Sequence, residues 1–213
     1  EVIMVTYKIQ IYPSQSITDY VRDRKAQILD EFGQYKFYNS HPHVSLFSFQ
    51  ADISHEHLIT KALKEASVFV DSFDISLNGF AYLKSNRAIY LKIGNGSQVA
   101  RINQLFYQKF RESAKSFGIR MVDPVFAKYP HMIIGSEFEQ KAFLKVHQTF
   151  IDQKYRETFA VDQVRLLRDI GNGKNDFVET ISLTEKVAVS LKWPEEKVWM
   201  VNEPQMSLFS HVA

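Results

Sequence analysis

A Pro-His-apolar frame occurs twice in this chain, as Pro42-His43-Val44-Ser45-Leu46 and as Pro130-His131-Met132-Ile133-Ile134. Each copy heads an apolar, strand-like run. Two imidazoles delivered by two similar strands supply what acid–base catalysis needs. One takes a proton from a nucleophile while the other gives one to a leaving group. With an ordinary pKa of about 6.5, an imidazole can play either role near neutral pH. Residues two apart on a strand share a face. His43 and Ser45 therefore point one way, and Val44 and Leu46 the other. His131 shares a face with Ile133, while Met132 and Ile134 point into the core. With both strands facing one cleft, the Ser45 hydroxyl can donate to an oxyanion held between the histidines.

Other chemistry is thinly supplied. His41-Pro42-His43 and His55-Glu56-His57 could be metal-ligand pairs. No third ligand set with a spacing such as His-Glu-x-x-His accompanies them, so no metal site is expected. His147 and His211 read as surface or packing residues. Lys8 and Arg165 lie on polar or mixed faces of strands able to line the cleft, and Lys128 and Tyr129 precede the second motif. For these four a solvated surface is the simpler reading. There is no glycine-rich triphosphate-binding loop, so ATP-driven ligation is not expected.

The 213 residues are enough for one large domain or two intimate small lobes. With 45% hydrophobic and 23% charged residues, the composition is that of a globular protein, and 17 Phe and 10 Tyr make the core aromatic. A net charge of +2 argues for no polyanion-binding tail. The absence of cysteine excludes disulfides and thiolate chemistry, and fits a reducing compartment. No apolar run approaches the roughly 20 residues of a membrane span. The chain opens on a strand-like segment without the pattern of a secretory leader, and a cytoplasmic protein with no membrane partner is expected.

The elements that must position the histidines can be read along the chain. Val2 to Ile11 alternates as a half-buried strand. Ser16, with Asp19, is expected to cap a helix that ends at Gly33. His43 to Phe49 is a strand, and Ser54 is expected to cap a second helix. Strands follow at Phe73–Leu83 and Ala88–Ile93, then a long helix from Asn95-Gly96-Ser97 to about Phe117. After the second motif, Ser136 and Glu139 form a capping box for a helix from Phe138 to about Lys154. Two last strands, near Phe159–Leu167 and Phe177–Leu183, are joined by the turn Gly171-Asn172-Gly173. Each half reads strand, helix, and strand with a histidine motif. The expected class is α+β, with antiparallel-rich sheets and outer helices. Residues 186–213 lie beyond these elements, and Trp193 to Ala213 fits no repeat. They form a C-terminal extension whose Trp199, Met200 and Phe209 could pack on another chain and support self-association.

The paired motifs, and the closing pattern from Phe159 to Leu183, resemble those of the 2H phosphoesterase superfamily, closest to its bacterial 2′-5′ RNA ligase-like branch. The resemblance spans roughly residues 1–185, a single domain. It implies a bilobal, pseudo-symmetric fold around a central cleft, and chemistry that needs neither metal nor cofactor. It implies that a 2′,3′-cyclic phosphate or a 2′-5′ linkage of RNA or a nucleotide binds between His43 and His131. One histidine activates water, the other protonates the departing ribose oxygen, and Ser45 holds the phosphate. Which histidine plays which part is left open. At the second motif the family's Ser or Thr is replaced by Ile133, which cannot hydrogen-bond a phosphate. Ser48 and Ser136 stand where several ligase-type members carry arginine, which points away from ligation. The rival readings are a catalytically weak or inactive binder of RNA ends or nucleotides using the same cleft, and a partner-binding module.

Overall fold

The computed structural model describes residues 2–171 and 174–185. Asn172 and Gly173 of the expected turn lie outside the described residues. So does the extension 186–213, with Trp199, Met200, Phe209, His211 and the self-association expected of them.

The described elements are β1 (Met4–Ile11), α1 (Gln15–Phe32), β2 (Val44–Asp52), α2 (Glu56–Ser67), β3 (Phe73–Leu83), β4 (Ala88–Ile93) and α3 (Gly96–Ser116). They continue with β5 (Val122–Phe126), β6 (His131–Gly135), α4 (Gln140–Phe150), β7 (Arg156–Val161), β8 (Gln163–Gly171) and β9 (Lys174–Ser182). All strand pairings are antiparallel, in the order β7-β3-β4-β6-β2-β1-β8-β9, with β5 beside β2. The strands fall into two lobes. One contains β1, β2, β5, β8 and β9, the other β3, β4, β6 and β7. They meet where β2 and β6 touch at a single pairing, Val44 with Met132. The expected α+β class, with pseudo-symmetric antiparallel lobes and outer helices, is the architecture found.

Helices cross between the lobes in a way the order of elements concealed. α1 lies between two strands of the first lobe but packs on β6 of the second. α3 leaves the second lobe and packs on β2 of the first, while α2 and α4 stay with the lobe of the strand before them. Stacking of Tyr20 in α1 on Tyr155, at 3.9 Å between ring centroids, fastens one crossing. The other is fastened by Phe106 and Phe110 of α3 against Phe47 of β2, at 5.8 and 5.7 Å. Aromatic pairs of this kind add to the burial of their large apolar surfaces.

Several boundaries differ from expectation. The run expected as one strand over Phe159–Leu167 is two, in different lobes. Its buried residues are Phe159 and Val161 before Asp162 but Val164 and Leu166 after it, a change of phase that one strand cannot hold. β5 was not expected. It contains Pro124, and Asp123 adopts a left-handed φ of 47°, features tolerated on an edge strand. The serine caps are also displaced. Ser16 lies inside α1, whose N-cap is Ser14. Ser54 sits in a short 3₁₀ turn whose cap is the Asp52 carboxylate. Ser136 is still extended, its backbone paired with that of Lys36, so α4 begins later with Glu139 as N-cap and without a side-chain cap bond. No helix among the described residues is long and apolar enough to cross a membrane.

Candidate active site

His43 precedes β2 and His131 opens β6, on either side of the junction between the lobes. Both line one cleft of about 430 Å³. Each is tethered in the same way. His43 Nδ1 lies 2.7 Å from the His41 carbonyl oxygen, and His131 Nδ1 lies 2.9 Å from that of Tyr129. A carbonyl oxygen only accepts, so Nδ1 must carry the proton in both rings. Nε2 is then the nitrogen left to give or take one. The residue spanned by each tether is proline, Pro42 or Pro130, whose ring fixes φ near −65° and biases the residue before it to extended backbone. That is the physical content of the repeated Pro-His frame.

A second device is also repeated. β2 carries a one-residue bulge against β1, since Gln10 pairs Ser45 and Ile9 pairs Phe47, leaving Leu46 extra. β6 carries one against β4, since Tyr90 pairs Ile133 and Ile89 pairs Gly135, leaving Ile134 extra. In each motif the extra residue is the third after the histidine. A bulge puts two consecutive residues on the same face of the strand. Leu46 and Phe47 are therefore both buried, while Ser45 and Ser48 both line the cleft. Gly135 completes the second copy. A Cβ there would stand 2.4 Å from the Tyr35 ring and 2.6 Å from that of Phe138.

The two sides of the cleft differ in chemistry. Ser45 is exposed to it, and its hydroxyl has no hydrogen-bond partner among the described residues. Beside it Gln10, 4% exposed, accepts a hydrogen bond from the Tyr12 hydroxyl through Oε1, which leaves the amide N–H groups to donate. The opposite wall, from 125 to 133, brings Val125, Ala127, Pro130 and Ile133. Ile133 thus occupies the position equivalent to Ser45 within an apolar wall.

Burial pushes the His43 pKa down. The bond to the His41 carbonyl opposes this, and the charges of Lys25, His41 and Lys8 add to the lowering. The net effect favours the neutral ring in His43. Tyr12 lies under Arg165, 4.4 Å from ring centroid to guanidinium carbon, and against the His43 ring at 6.1 Å. Arg165 itself does not line the cleft. Lys8 does line the cleft, but it donates to Asp169 at 2.6 Å and to Asn175 at 2.9 Å. Tyr129 lines the cleft and is 74% exposed, with Lys128 over its ring. His41 lies beside the site, and its Nδ1 meets the Pro42 carbonyl. His55 is the N-cap residue of α2, without a side-chain cap bond, and does not line the cleft, and His147 packs against Tyr82. Among the described residues, no three His, Cys, Asp or Glu side chains gather as they would around a metal ion.

Lys25 was not singled out by its sequence context. It is 3% exposed and donates to the Phe37 carbonyl (2.8 Å), the Ser40 carbonyl (2.8 Å) and Ser40 Oγ (2.9 Å). Phe37 and Ser40 are cleft residues, so this lysine holds a cleft wall. Burial pushes its pKa from 10.5 down to about 8. Between those values the unfolded chain binds one proton more than the folded one, so stability rises with pH. Tyr7, Tyr35 and Tyr155, whose pKa values burial raises, act the other way above about pH 10. From pH 8 to 10, the wild type should therefore gain about 2–3 kcal/mol relative to Lys25→Met in urea unfolding. Parallel stability curves would contradict this.

The family model described as the 2′-5′ RNA ligase superfamily matches residues 13–173. Among solved structures, TT0787 of Thermus thermophilus is similar with a TM-score of 0.60 and 13% identity, covering 85% of this chain and 100% of that one. LigT of E. coli, complexed with NADP+, is similar with a TM-score of 0.58 and 11% identity over 85% of this chain and 99% of its own. The same protein complexed with 3′-AMP gives 0.57 at 11% identity, with the same coverage. A search of curated proteins finds no match.

Proposed function

This chain belongs to the 2′-5′ RNA ligase superfamily, and from that membership we propose a metal-independent phosphodiesterase acting on 2′,3′-cyclic phosphates or 2′-5′ linkages of RNA or nucleotides. The observation that carries the proposal is the doubled tether. Two histidines line one cleft, each fixed through Nδ1 to the carbonyl two residues back. In the proposed reaction, Nε2 of one histidine removes a proton from water as its oxygen bonds to phosphorus. The bond from phosphorus to the ribose oxygen breaks, and Nε2 of the other histidine supplies the proton that oxygen needs. Ser45 and the Gln10 amide donate to the non-bridging oxygens, where negative charge gathers in the transition state. The side on which the leaving oxygen lies decides which histidine is acid and which is base. Residues 1–185 would form the single bilobal catalytic domain of a cytoplasmic enzyme with no cofactor. A nucleotide ligand is in keeping with the 3′-AMP complex of LigT.

The test is hydrolysis of 2′,3′-cyclic nucleotides by the purified protein with EDTA present. Turnover that resists the chelator is the expected result, and turnover that EDTA abolishes would overturn the metal-independent mechanism. A second reading, a weak or inactive binder of RNA ends, is favoured by Ile133 and the apolar wall around it. It predicts saturable binding of a 3′-nucleotide with no turnover.

A further inference from the structure

A second cavity, of about 380 Å³, adjoins the cleft and shares Ser40 with it. It lies between α1 and the loop that leads to His43. α1 contributes Arg22, Lys25, Ala26 and Leu29, and the loop contributes Tyr38, Asn39, Ser40 and His41. Three of these eight residues carry or can carry positive charge, and none is acidic. The most telling is Lys25. Its three partners are two backbone carbonyls and a hydroxyl, so its buried charge has hydrogen bonds but no counter-ion among them. A buried cation left without an anion is costly for a fold to keep. An anion arriving in the groove would relieve that cost. Arg22 is exposed at the mouth, free to present its fork of donors to a phosphate. Tyr38 offers a ring beside it.

Resting on the reading of the cleft as a phosphoester site, we propose that this groove is a second anion subsite, which takes the phosphodiester next to the reacting one. The substrate would then be an oligonucleotide end, with one phosphate between His43 and His131 and its neighbour between Arg22 and the 38–41 loop. The shared Ser40 wall, tied down by Lys25, would set the distance between the two phosphates. A free mononucleotide would leave the groove empty.

The experiment compares binding of a fluorescein-labelled RNA trinucleotide ending in a 3′-phosphate with that of the 3′-mononucleotide. Wild type, Arg22→Ala and Arg22→Glu are each titrated over a range of salt. Arg22 is exposed, so neither change removes core packing. The wild type should bind the trinucleotide roughly 10-fold or more tightly than the mononucleotide, as one added charge-assisted contact allows. Arg22→Glu should erase most of that ratio and flatten the salt dependence of trinucleotide binding by about 0.7 per lost contact. A ratio and slope unchanged in both variants, or no trinucleotide binding by the wild type, would overturn the subsite. Failure of the catalytic reading is separate. Arg22-dependent binding without cyclic phosphate hydrolysis would leave the groove standing, and hydrolysis with no Arg22 dependence would leave catalysis standing alone.

Discussion

His43→Ala and His131→Ala should each lower kcat for a 2′,3′-cyclic nucleotide by about 100- to 10,000-fold, the usual contribution of a positioned proton donor or acceptor. KM should move far less, because each imidazole acts mainly on protons in flight. The double variant should fall little further than the worse single one, since a base without its acid partner has only half a reaction to assist. Both rings are half-buried at the head of their strands, and the anchoring apolar residues are the next ones along, Val44 and Met132, each 0% exposed. Substituting the histidines therefore leaves the core intact, and urea unfolding should confirm that lost turnover is not lost fold. Steady-state kinetics on the three variants decides it. A single variant with wild-type turnover would remove that histidine from the mechanism.

The second large effect comes from equivalent positions with opposite signs. Ser45→Ala should lower kcat/KM by about 10- to 150-fold, the worth of a hydrogen bond to a charged oxygen. Ile133→Thr should raise it, by roughly 10-fold. The bulges make the two positions comparable, since each is two residues after its histidine and immediately before the extra residue. Thr keeps the branched Cβ and its methyl beside Tyr90 and replaces only the ethyl arm with a hydroxyl, so the change costs little packing. A loss on Ile133→Thr together with tighter binding of an apolar-substituted ligand would mean that the wall from 125 to 133 is shaped for a different group, and would favour the binding-only reading.

The repeated Pro-His frame carried much of the site in the sequence, because the tether is local and depends on a proline between ring and carbonyl. The apolar alternation of β1 and the stripes of the helices were also legible, since burial of one face dictates them. Other features were hidden for identifiable reasons. The bulge at Leu46 leaves a trace, two adjacent apolar residues where alternation calls for one, but its meaning needs the β1 partner. The phase change at Asp162 is likewise written in the apolar residues, and it separates two lobes. Serine caps misled at Ser16, Ser54 and Ser136, because Ser also suits turns and extended edges and only the backbone decides among them. Gln10, Ser40 and Lys25 owe their roles to neighbours brought close by folding. The crossing of α1 and α3 between lobes could not be inferred from element order at all.

The central claim is that two histidines share the proton transfers, and the pH dependence of kcat/KM tests it most directly. One imidazole must be neutral and the other charged, so the wild type should give a bell-shaped profile. Burial lowers the pKa of His43, which places one limb below the ordinary value of 6.5. His43→Ala should abolish that limb, and His131→Ala the other. A wild-type profile with a single limb, or one in which both limbs survive either substitution, would contradict the two-histidine mechanism.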